Sequence, residues 1–226
     1  MNAFDREIRL IGEEKLHILQ QKHVAVFGLG GVGGACAEAL VRGGIGHLDL
    51  FDGDKVDETN LNRQAFSLHS TIGMPKTQAA QCRLLDINPA LSLTLFPVFY
   101  SADNAAQFPF DGYDFVLDCI DQVSAKLLIA ENAQKAGTPL LSCMGTGNKL
   151  DPSRFKISAI EKTSVCPLCR IMRRECKARG LSHLNVLWSD EQPVHIGQST
   201  PASISFVPPA AGLMMAGYAL RYLGGF

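Results

Sequence analysis

The sequence predicts an α/β protein built on a doubly wound, mostly parallel sheet with a C-terminal α+β extension. Short apolar runs typical of buried strands alternate with segments whose apolar residues recur at helical spacing. Strands that alternate with helices usually pair in parallel, because each helix carries the chain back across the sheet. With 226 residues, of which 46% are hydrophobic, the chain can bury a full core as one domain.

The elements follow a regular order up to about residue 150. Apolar residues at roughly helical spacing predict a helical N-terminal segment over residues 5–21. After it we expect strand 24–27, helix 33–42, strand 47–51, helix 76–87, strands 91–96 and 113–117, helix 124–136 and strand 138–142. This order assigns residues 1–150 to the doubly wound core.

The rhythm changes in residues 151–226, which we assign to a crossover segment and a C-terminal extension. Here we expect a strand over 154–160, a helix from about 167 to 179, a strand over 184–188, a loop over 189–201 and a helix over 207–223. The last helix begins with a proline pair, and its apolar length suits a buried core helix better than a membrane anchor.

Several features point to the cytoplasm. No uninterrupted apolar run approaches the roughly 18 residues that cross a bilayer, and the N-terminus carries charge where a signal peptide needs its hydrophobic stretch. The seven cysteines are an odd number and lie mostly in segments that look buried, which suits a reducing compartment. The formal net charge is −1, so a polyanionic partner would need a local basic patch.

A glycine-rich turn follows the first predicted strand. Within VAVFGLGGVGGACAEAL (24–40), Gly28, Gly30 and Gly33 form a G-x-G-x-x-G pattern, and Asp52 ends the next strand. Bare backbone lets a phosphate approach, while the helix N-terminus supplies amide donors and partial positive charge. The pattern predicts a Rossmann-like nucleotide site without saying which nucleotide binds.

Polar and charged side chains follow the second strand, in DGDKVDETNLNRQ (52–64). Open α/β sheets bind ligands at this end of their strands. The candidate nucleotide-binding residues here are Asp52, Asp54, Asn60, Arg63 and Gln64. Arg63, together with Lys76 at the start of the next helix, supplies more positive charge than a dinucleotide needs, which indicates a triphosphate. Taken singly, each could be a solvated surface charge.

Two carboxylates follow the strand predicted at 113–117. In DCIDQ (118–122), Asp118 and Asp121 lie at the carboxyl end of that strand, next to Gln122. Mg²⁺ prefers one or two carboxylates combined with phosphate oxygens and water. Either carboxylate could instead cap a helix, but at corresponding strand ends the set predicts a Mg²⁺–nucleotide site.

Together these motifs resemble a known superfamily. GxGGxG, D-x-D-x-V-x-x-(S/T)-N-L-x-R-Q, G-x-x-K and D-C-x-D, within residues 4–145, are similar to the adenylating domain of ubiquitin-activating enzymes and of molybdopterin- and thiamine-pathway adenylyltransferases. MGTGNKLDPSRFKISAIEKTSVCPL (144–168) and SISFVPPAAGL (203–213) resemble the tRNA threonylcarbamoyladenosine dehydratase branch. That branch uses ATP to cyclise the threonylcarbamoyl group on an adenosine beside the tRNA anticodon. The resemblance implies one adenylating domain over residues 1–226, with ATP and Mg²⁺ as cofactors.

The resemblance also implies roles for individual residues. Gly30 and Gly31 would lie under the nucleotide, Asp52 would bind its ribose, and Asp121 would coordinate Mg²⁺. The phosphates would be held by Asn60, Arg63 and Lys76. These cations and the metal would offset the charge of the departing pyrophosphate when a carboxylate is adenylated.

A homodimer is implied by the N-terminal segment. Arg6 matches the position that, in the adenylyltransferase relatives, reaches the phosphates of the neighbouring subunit's ATP, and we count it among the candidate catalytic residues. Arg9 is an equally plausible match when the N-terminus is aligned on the dehydratase branch.

The segment CPLCRIMRRECKARG (166–180) allows several interpretations of its cysteines. A zinc site is one of them, formed by Cys166, Cys169, Cys176 and His183, although strong zinc signals contain two C-x-x-C pairs and only one is present. Alternatively, Cys166 is an acceptor thiol, as in enzymes that pass on an activated ubiquitin-like protein or sulfur. The third interpretation is a pair of buried thiols at a helix start.

The same segment is basic. Residues 161–180 hold six Lys or Arg against two Asp or Glu, a local charge of +4 within a protein whose remainder carries −5. Helical spacing puts most of the cations along one side. The side could simply be solvated, but we predict that it contacts the tRNA backbone through Arg170, Arg173, Arg174, Lys177 and Arg179.

Three functions are compatible with these residues. The first is the tRNA dehydratase, in which the nucleophile lies in the same group as the activated carbonyl and no enzyme nucleophile is required. The second is activation of the C-terminus of a ubiquitin-like or sulfur-carrier protein. The third is a non-catalytic nucleotide-binding or NAD-dependent protein. We disfavour it because Arg63, Lys76 and Asp121 would have no function in such a protein.

Overall fold

A single sheet of seven strands runs through the protein. The computed structural model describes residues 3–195, 197 and 201–226. The strands are β1 (His23–Phe27), β2 (His47–Phe51), β3 (Ser92–Phe96), β4 (Phe115–Asp118), β5 (Leu140–Cys143), β6 (Phe155–Ala159) and β7 (Asn185–Ser189). Their order across the sheet is β3-β2-β1-β4-β5-β7-β6, and only the β6–β7 pair is antiparallel. The predicted doubly wound, mostly parallel sheet is confirmed.

Seven α-helices accompany the sheet in the described ranges. They are α1 (Asp5–Ile11), α2 (Glu13–Gln20), α3 (Gly31–Arg42), α4 (Lys76–Ile87), α5 (Val123–Ala136), α6 (Pro167–Ala178) and α7 (Val207–Gly224). Helix α7 packs along α3 so closely that a Cβ on Gly212 would lie 2.2 Å from the Val32 carbonyl oxygen. None of these helices is both long and apolar enough to cross a membrane.

The strand order creates a crevice at one place in the sheet. From β1 the chain winds outward through β2 and β3, then returns to the other side of β1 to form β4 and β5. Phe27, the last residue of β1, is aligned with Phe51 of β2 and with Asp118 of β4. Ligands of open α/β sheets bind where the winding reverses, outside the carboxyl ends of the strands. The three candidate nucleotide loops therefore meet there.

Two details differ from the sequence-based expectation. The N-terminal helical segment is broken at Gly12, whose φ of 89° and ψ of 156° end α1 and let α2 begin in a new direction. The extension adds β7 and β6 to the edge of the same sheet, with β7 between β5 and β6. The loop predicted over 189–201 includes residues 196 and 198–200, which lie outside the described residues.

Candidate active site

A cavity of about 730 Å³ opens at the carboxyl ends of the central strands. The glycine turn after β1 and the loops after β2 and β4 form one region of its lining. A second region is formed by residues 145–147 after β5, by Leu168 of α6, and by Pro201 and Ser203 before α7. The cavity therefore combines the predicted nucleotide loops with a second region, to which residues 145–147 and the C-terminal extension contribute.

The glycine turn presents bare backbone to this cavity. Gly28, Gly30 and Gly31 line it, and no atom lies within 4 Å of the place where a Gly30 Cβ would project. Gly33 does not line the cavity; a Cβ there would lie 1.8 Å from the Gly28 carbonyl oxygen. Gly33 thus lets α3 pack against the turn, while Gly30 leaves room for a ligand at the helix N-terminus.

Asp52 ties the glycine turn to the loop after β2. One carboxylate oxygen accepts the Leu29 amide hydrogen at 2.6 Å, and the other accepts that of Asp54 at 2.8 Å. Burial raises the pKa of Asp52 above its ordinary value, although the nearby Lys76 ammonium and both amides act in the opposite direction. The carboxylate lines the cavity, where its remaining lone pairs can accept ribose hydroxyl groups.

Lys76 and Arg63 place positive charge on the cavity wall. Lys76 is only 7% exposed, and its ammonium nitrogen lies 2.8 Å from Asp54 and 3.9 Å from Asp52. The Arg63 guanidinium donates to the Thr59 carbonyl oxygen at 2.9 Å and to the Asn62 side chain at 2.8 Å. Both cations line the cavity together with Asn60 and Gln64.

The two carboxylates after β4 have different environments. Asp121 and its neighbour Gln122 line the cavity, and no described side chain pairs with the exposed Asp121 carboxylate. A lone carboxylate on the cavity wall fits Mg²⁺, which takes one or two carboxylates and completes its shell with phosphate oxygens and water.

Asp118 was expected at the nucleotide site together with Asp121. The structure corrects this expectation. Its side chain is fully buried and does not line the cavity; it forms an ion pair with Lys126 at 3.0 Å. The reason is that Asp118 is still the last residue of β4 and is aligned with Ser142 of β5, whereas Asp121 lies in the loop beyond the sheet.

Several lining residues were not predicted from sequence. The chain after β3 contributes Val98, Phe99 and Tyr100. Phe99 is 65% exposed, and its ring lies so close to Gly53 that a Cβ there would be 2.7 Å from it. The usable signal was that the apolar run FPVFY continues past the end of its strand. An exposed ring at a nucleotide cavity can stack on a base.

The Cys166 thiol lies just behind the second region of the cavity. Cys166 is the N-cap residue of α6, is buried, and lies 3.7 Å from where a Gly145 Cβ would project. Hydrogen bonds from the Cys169 thiol and from the amides of Cys169, Gly145 and Leu168 lower the pKa of Cys166 to about 5, although burial acts against this. The same contact and burial raise the pKa of Cys169.

The zinc alternative finds no support in these contacts. Across residues 3–195, 197 and 201–226, no three His, Cys, Asp or Glu side chains come together in a way that could hold a metal ion. The four proposed ligands, Cys166, Cys169, Cys176 and His183, therefore do not form a zinc site.

The basic residues of α6 divide into paired and unpaired cations. The Arg173 guanidinium donates to the Thr163 carbonyl oxygen at 2.8 Å, Arg174 pairs with Glu175 at 2.8 Å, and Arg179 pairs with Glu131 at 2.7 Å. Arg170 and Lys177 are exposed and have no ion-pair partner among the described residues. The Arg174 side chain is still 76% exposed, so the predicted basic surface is carried chiefly by Arg170, Arg174 and Lys177.

The N-terminal arginines do not contribute to the cavity of their own chain. Arg6 and Arg9 are exposed on α1, and neither lines it. Helix α1 buries none of its residues, and its Leu10 side chain is 85% exposed. These arginines are available to another molecule.

Comparisons with known proteins agree with this geometry. The model of the ThiF family matches residues 4–226. A tRNA threonylcarbamoyladenosine dehydratase of Bacillus subtilis (strain 168) is 37% identical, covering 99% of this chain and 95% of that protein. The adenylyltransferase and sulfurtransferase MOCS3 of Drosophila virilis is 37% identical over only 59% of this chain and 29% of its own length.

Among solved structures, the E. coli tRNA N6-threonylcarbamoyladenosine dehydratase TcdA in complex with ATP has a similar fold. It superimposes with a TM-score of 0.92 at 31% identity, covering 99% of this chain and 94% of TcdA. The chain belongs to the ThiF family, and its extended similarity groups it with the tRNA threonylcarbamoyladenosine dehydratases.

Proposed function

We propose that this protein is an ATP-dependent tRNA threonylcarbamoyladenosine dehydratase that acts in the cytoplasm. The observation that carries the proposal is the second region of the cavity, at residues 145–147, Leu168, Pro201 and Ser203. Similarity to the dehydratases extends through this region, because it covers 99% of the chain, whereas similarity to MOCS3 covers 59%. The similarity to the dehydratases thus includes this part of the cavity wall.

The first chemical step is adenylation of the substrate carboxylate. A carboxylate oxygen attacks the α-phosphate of ATP, and pyrophosphate leaves. Lys76 and Arg63 on the cavity wall stabilise the charge that develops on the phosphates. Lys76 must then turn its ammonium group from Asp54 toward the nucleotide, since Asp54 is its nearest anionic partner, at 2.8 Å.

Mg²⁺ would be held by Asp121, with Gln122 beside it, and would supply further charge neutralisation at the phosphates. Asp121 suits this role because its carboxylate faces the cavity without a partner among the described side chains.

The second step is ring closure within the activated group. The threonylcarbamoyl group carries its own nucleophile, so attack on the acyl adenylate is intramolecular and releases AMP. The sum is loss of one water from the tRNA side chain, driven by cleavage of ATP to AMP and pyrophosphate. No covalent enzyme intermediate is required.

The tRNA would lie across the exposed side of α6. Leu168 in the first turn of this helix lines the cavity, while Arg170, Arg174 and Lys177 of the following turns face outward. Phosphate contacts from these cations would hold the polyanion beside the active site. The enzyme would act as a homodimer in which Arg6 or Arg9 reaches the partner's ATP.

One observation favours a second function. Cys166 lies beside the second region of the cavity, and hydrogen bonds from the Cys169 thiol and from nearby amides lower its pKa, as would suit an acceptor thiol in an adenylyltransferase that activates a ubiquitin-like or sulfur-carrier protein. The shorter coverage of the MOCS3 relative argues against this alternative. Substitution of Cys166 separates the two functions.

The adenylation assignment is tested by Lys76→Ala, with Lys55→Ala as its matched control. Lys55 lies near Lys76, because its backbone is paired with Pro75, but its side chain is exposed and does not line the cavity. We expect Lys76→Ala to lower AMP and pyrophosphate formation by on the order of 10²–10³, because it removes charge stabilisation from the phosphate step. Nucleoside mass spectrometry of threonylcarbamoylated tRNA, incubated with ATP, should show loss of one water with wild type and Lys55→Ala.

Near-normal turnover by a folded Lys76→Ala variant would contradict the assignment. An ATP-dependent reaction that leaves the tRNA nucleoside mass unchanged would contradict the substrate.

A further inference from the structure

An ion pair with no exposed side-chain surface lies immediately behind the cavity wall. The Lys126 ammonium nitrogen is 3.0 Å from an Asp118 carboxylate oxygen, and both side chains are 0% exposed. The Ser142 hydroxyl donates to the same carboxylate oxygen, and the Lys126 ammonium donates to the Ser142 oxygen at 3.2 Å. Their chain neighbours Cys119, Ala125 and Cys143 line the cavity.

The group joins three elements around one loop. Asp118 ends β4, Ser142 belongs to β5, and Lys126 lies in the first turns of α5. The chain between Asp118 and α5 is the loop 119–122, which carries Asp121.

The two residues of the ion pair also form hydrogen bonds to the two ends of this loop, one through the Asp118 side chain and one through the Lys126 backbone. The second Asp118 oxygen accepts the Ile120 amide hydrogen at 3.1 Å, and the Lys126 amide donates to the Gln122 carbonyl oxygen at 3.1 Å. At the start of the loop, the Cys119 amide donates to the Phe27 carbonyl oxygen at 2.8 Å, next to the glycine turn. Asp121 thus lies on a short loop whose two ends are fixed relative to the nucleotide site.

A buried ion pair is a poor means of stabilising a fold. Desolvating two charges costs about as much as their attraction returns, and well-packed apolar residues are often as stable. Such a pair can fix the relative positions of the elements that carry it, because each buried charge must stay next to its partner. No buried side-chain oxygen or nitrogen in the described residues lacks a hydrogen-bond partner, so this arrangement is complete.

We propose that Lys126 is a positioning residue that acts through Asp118 and Ser142 to hold the Asp121 carboxylate toward the metal–nucleotide complex. The proposal rests on the proposed function, in which Asp121 binds Mg²⁺. It assigns the buried Asp118 a part in metal binding without contact to metal or nucleotide.

The decisive variant replaces both charges at once, as Asp118→Asn with Lys126→Met, because removing one alone would leave an unpaired buried charge. Mn²⁺ binding is measured by electron paramagnetic resonance in the presence of a non-hydrolysable ATP analogue. Residues that orient metal ligands typically change affinity 10- to 100-fold, so we expect the Mn²⁺ dissociation constant to rise at least about tenfold. Affinity for the analogue without metal should stay at the wild-type value, which general damage to the fold would not allow.

Two further variants keep the test decisive. Ser142→Ala retains both charges and should weaken Mn²⁺ binding in the same direction by a smaller factor. Lys135→Met changes an exposed lysine of the same helix and should leave it unchanged. Wild-type Mn²⁺ affinity in the folded double variant would overturn the proposal. If circular dichroism shows that variant unfolded, wild-type affinity in Ser142→Ala would overturn it.

Asp121→Asn distinguishes this proposal from the proposed function. If Asp121→Asn weakens Mn²⁺ binding and the neutral pair does not, only the positioning role fails. If Asp121→Asn leaves Mn²⁺ binding unchanged, the metal role of Asp121 itself fails, and the role of Lys126 fails with it.

Discussion

At the scale of single residues, the site separates charges that meet ligands from charges that hold the structure. Asp121 faces the cavity without a partner among the described side chains, whereas Asp118, three positions earlier, is buried against Lys126. Lys76 lies between these extremes, since it is nearly buried yet lines the cavity beside Asp54. Its present partner is exposed, so exchange of a carboxylate for a phosphate does not require a buried pair to break.

Cys166→Ser tests whether the activated thiol takes part in the reaction. Ring closure within the tRNA group needs no sulfur, so we expect the variant to keep most of the single-turnover dehydration. Cys169→Ser is the matched control from the same turn of α6. Loss of product with Cys166→Ser alone, in a protein that still forms the adenylate, would favour acyl or sulfur transfer instead.

The thiolate itself has a pH signature. Because the pKa of Cys166 is lowered to about 5, its thiolate should persist above that pH and disappear as the pH falls through it. The ultraviolet absorbance difference between wild type and Cys166→Ser reports this titration. A midpoint near that of an ordinary thiol, about 8.5, would show that the amide contacts do not stabilise the thiolate.

The sequence could identify the charged residues of the cavity but not the difference between Asp118 and Asp121. Glycine spacing and strand-end carboxylates are local patterns, so they appear in the sequence before any packing is known. Burial of Asp118 depends on Lys126 and Ser142, which come from the following helix and the next strand. Phe99 was missed for the opposite reason, because an apolar residue after a strand is ordinarily assigned to the core.

At the scale of elements, α6 shows how one helix serves two surfaces. Cys169, Met172 and Cys176 are buried at helical spacing, and the intervening basic residues face outward. The sequence predicted the basic side from its helical spacing, while buried thiols were one of three interpretations of the cysteines. It could not show that Arg173 is anchored to Thr163, because Thr163 belongs to the segment that precedes the helix.

This difference changes which arginines test tRNA binding. We expect Arg170→Glu with Lys177→Glu to weaken tRNA binding and to reduce the slope of its salt dependence by about one for each phosphate that is no longer neutralised. ATP affinity should not change, since neither residue lines the cavity. Filter binding across a salt series measures the slope.

Lys135→Glu, on the exposed part of α5, is the control for a simple change in net charge and should be compared with Arg170→Glu alone. If the salt dependence of tRNA binding is unchanged in the α6 double variant, this side of the helix is simply solvated and does not contact tRNA.

At the scale of the whole molecule, the alternation of strands and helices predicted the sheet, but not the position of its last strands. β7 lies between β5 and β6, so the chain forms an edge strand first and then fills the gap beside β5. Pairing between strands separated by a helix depends on the complete sheet, and no local pattern in 151–226 encodes it. Helix α6 connects β6 to β7 along the chain, and this strand order brings it to the second region of the cavity.

The surface of the molecule supports the proposed dimer. Helix α1 buries none of its residues, and apolar side chains are exposed on α1 and α7: Leu10 at 85%, Leu213 at 57% and Met214 at 36%. Burial of such side chains in a second copy would remove apolar surface from water. A dimer would also allow Arg6 or Arg9 to reach the ATP of the partner subunit, since neither lines the cavity of its own chain.

Mixed dimers test whether these arginines act across subunits. Arg6→Ala and Lys76→Ala chains should each be nearly inactive alone, because every site lacks either the partner's arginine or its own lysine. After unfolding and refolding together, half of the dimers contain one chain of each kind, and one of their two sites is complete. We therefore expect AMP formation to recover to about a quarter of the wild-type rate. Repeating the mixture with Arg9→Ala identifies which arginine is used, and refolded single variants are the control. If the arginine acted within its own chain, every site in the mixed dimers would be defective and no activity would return.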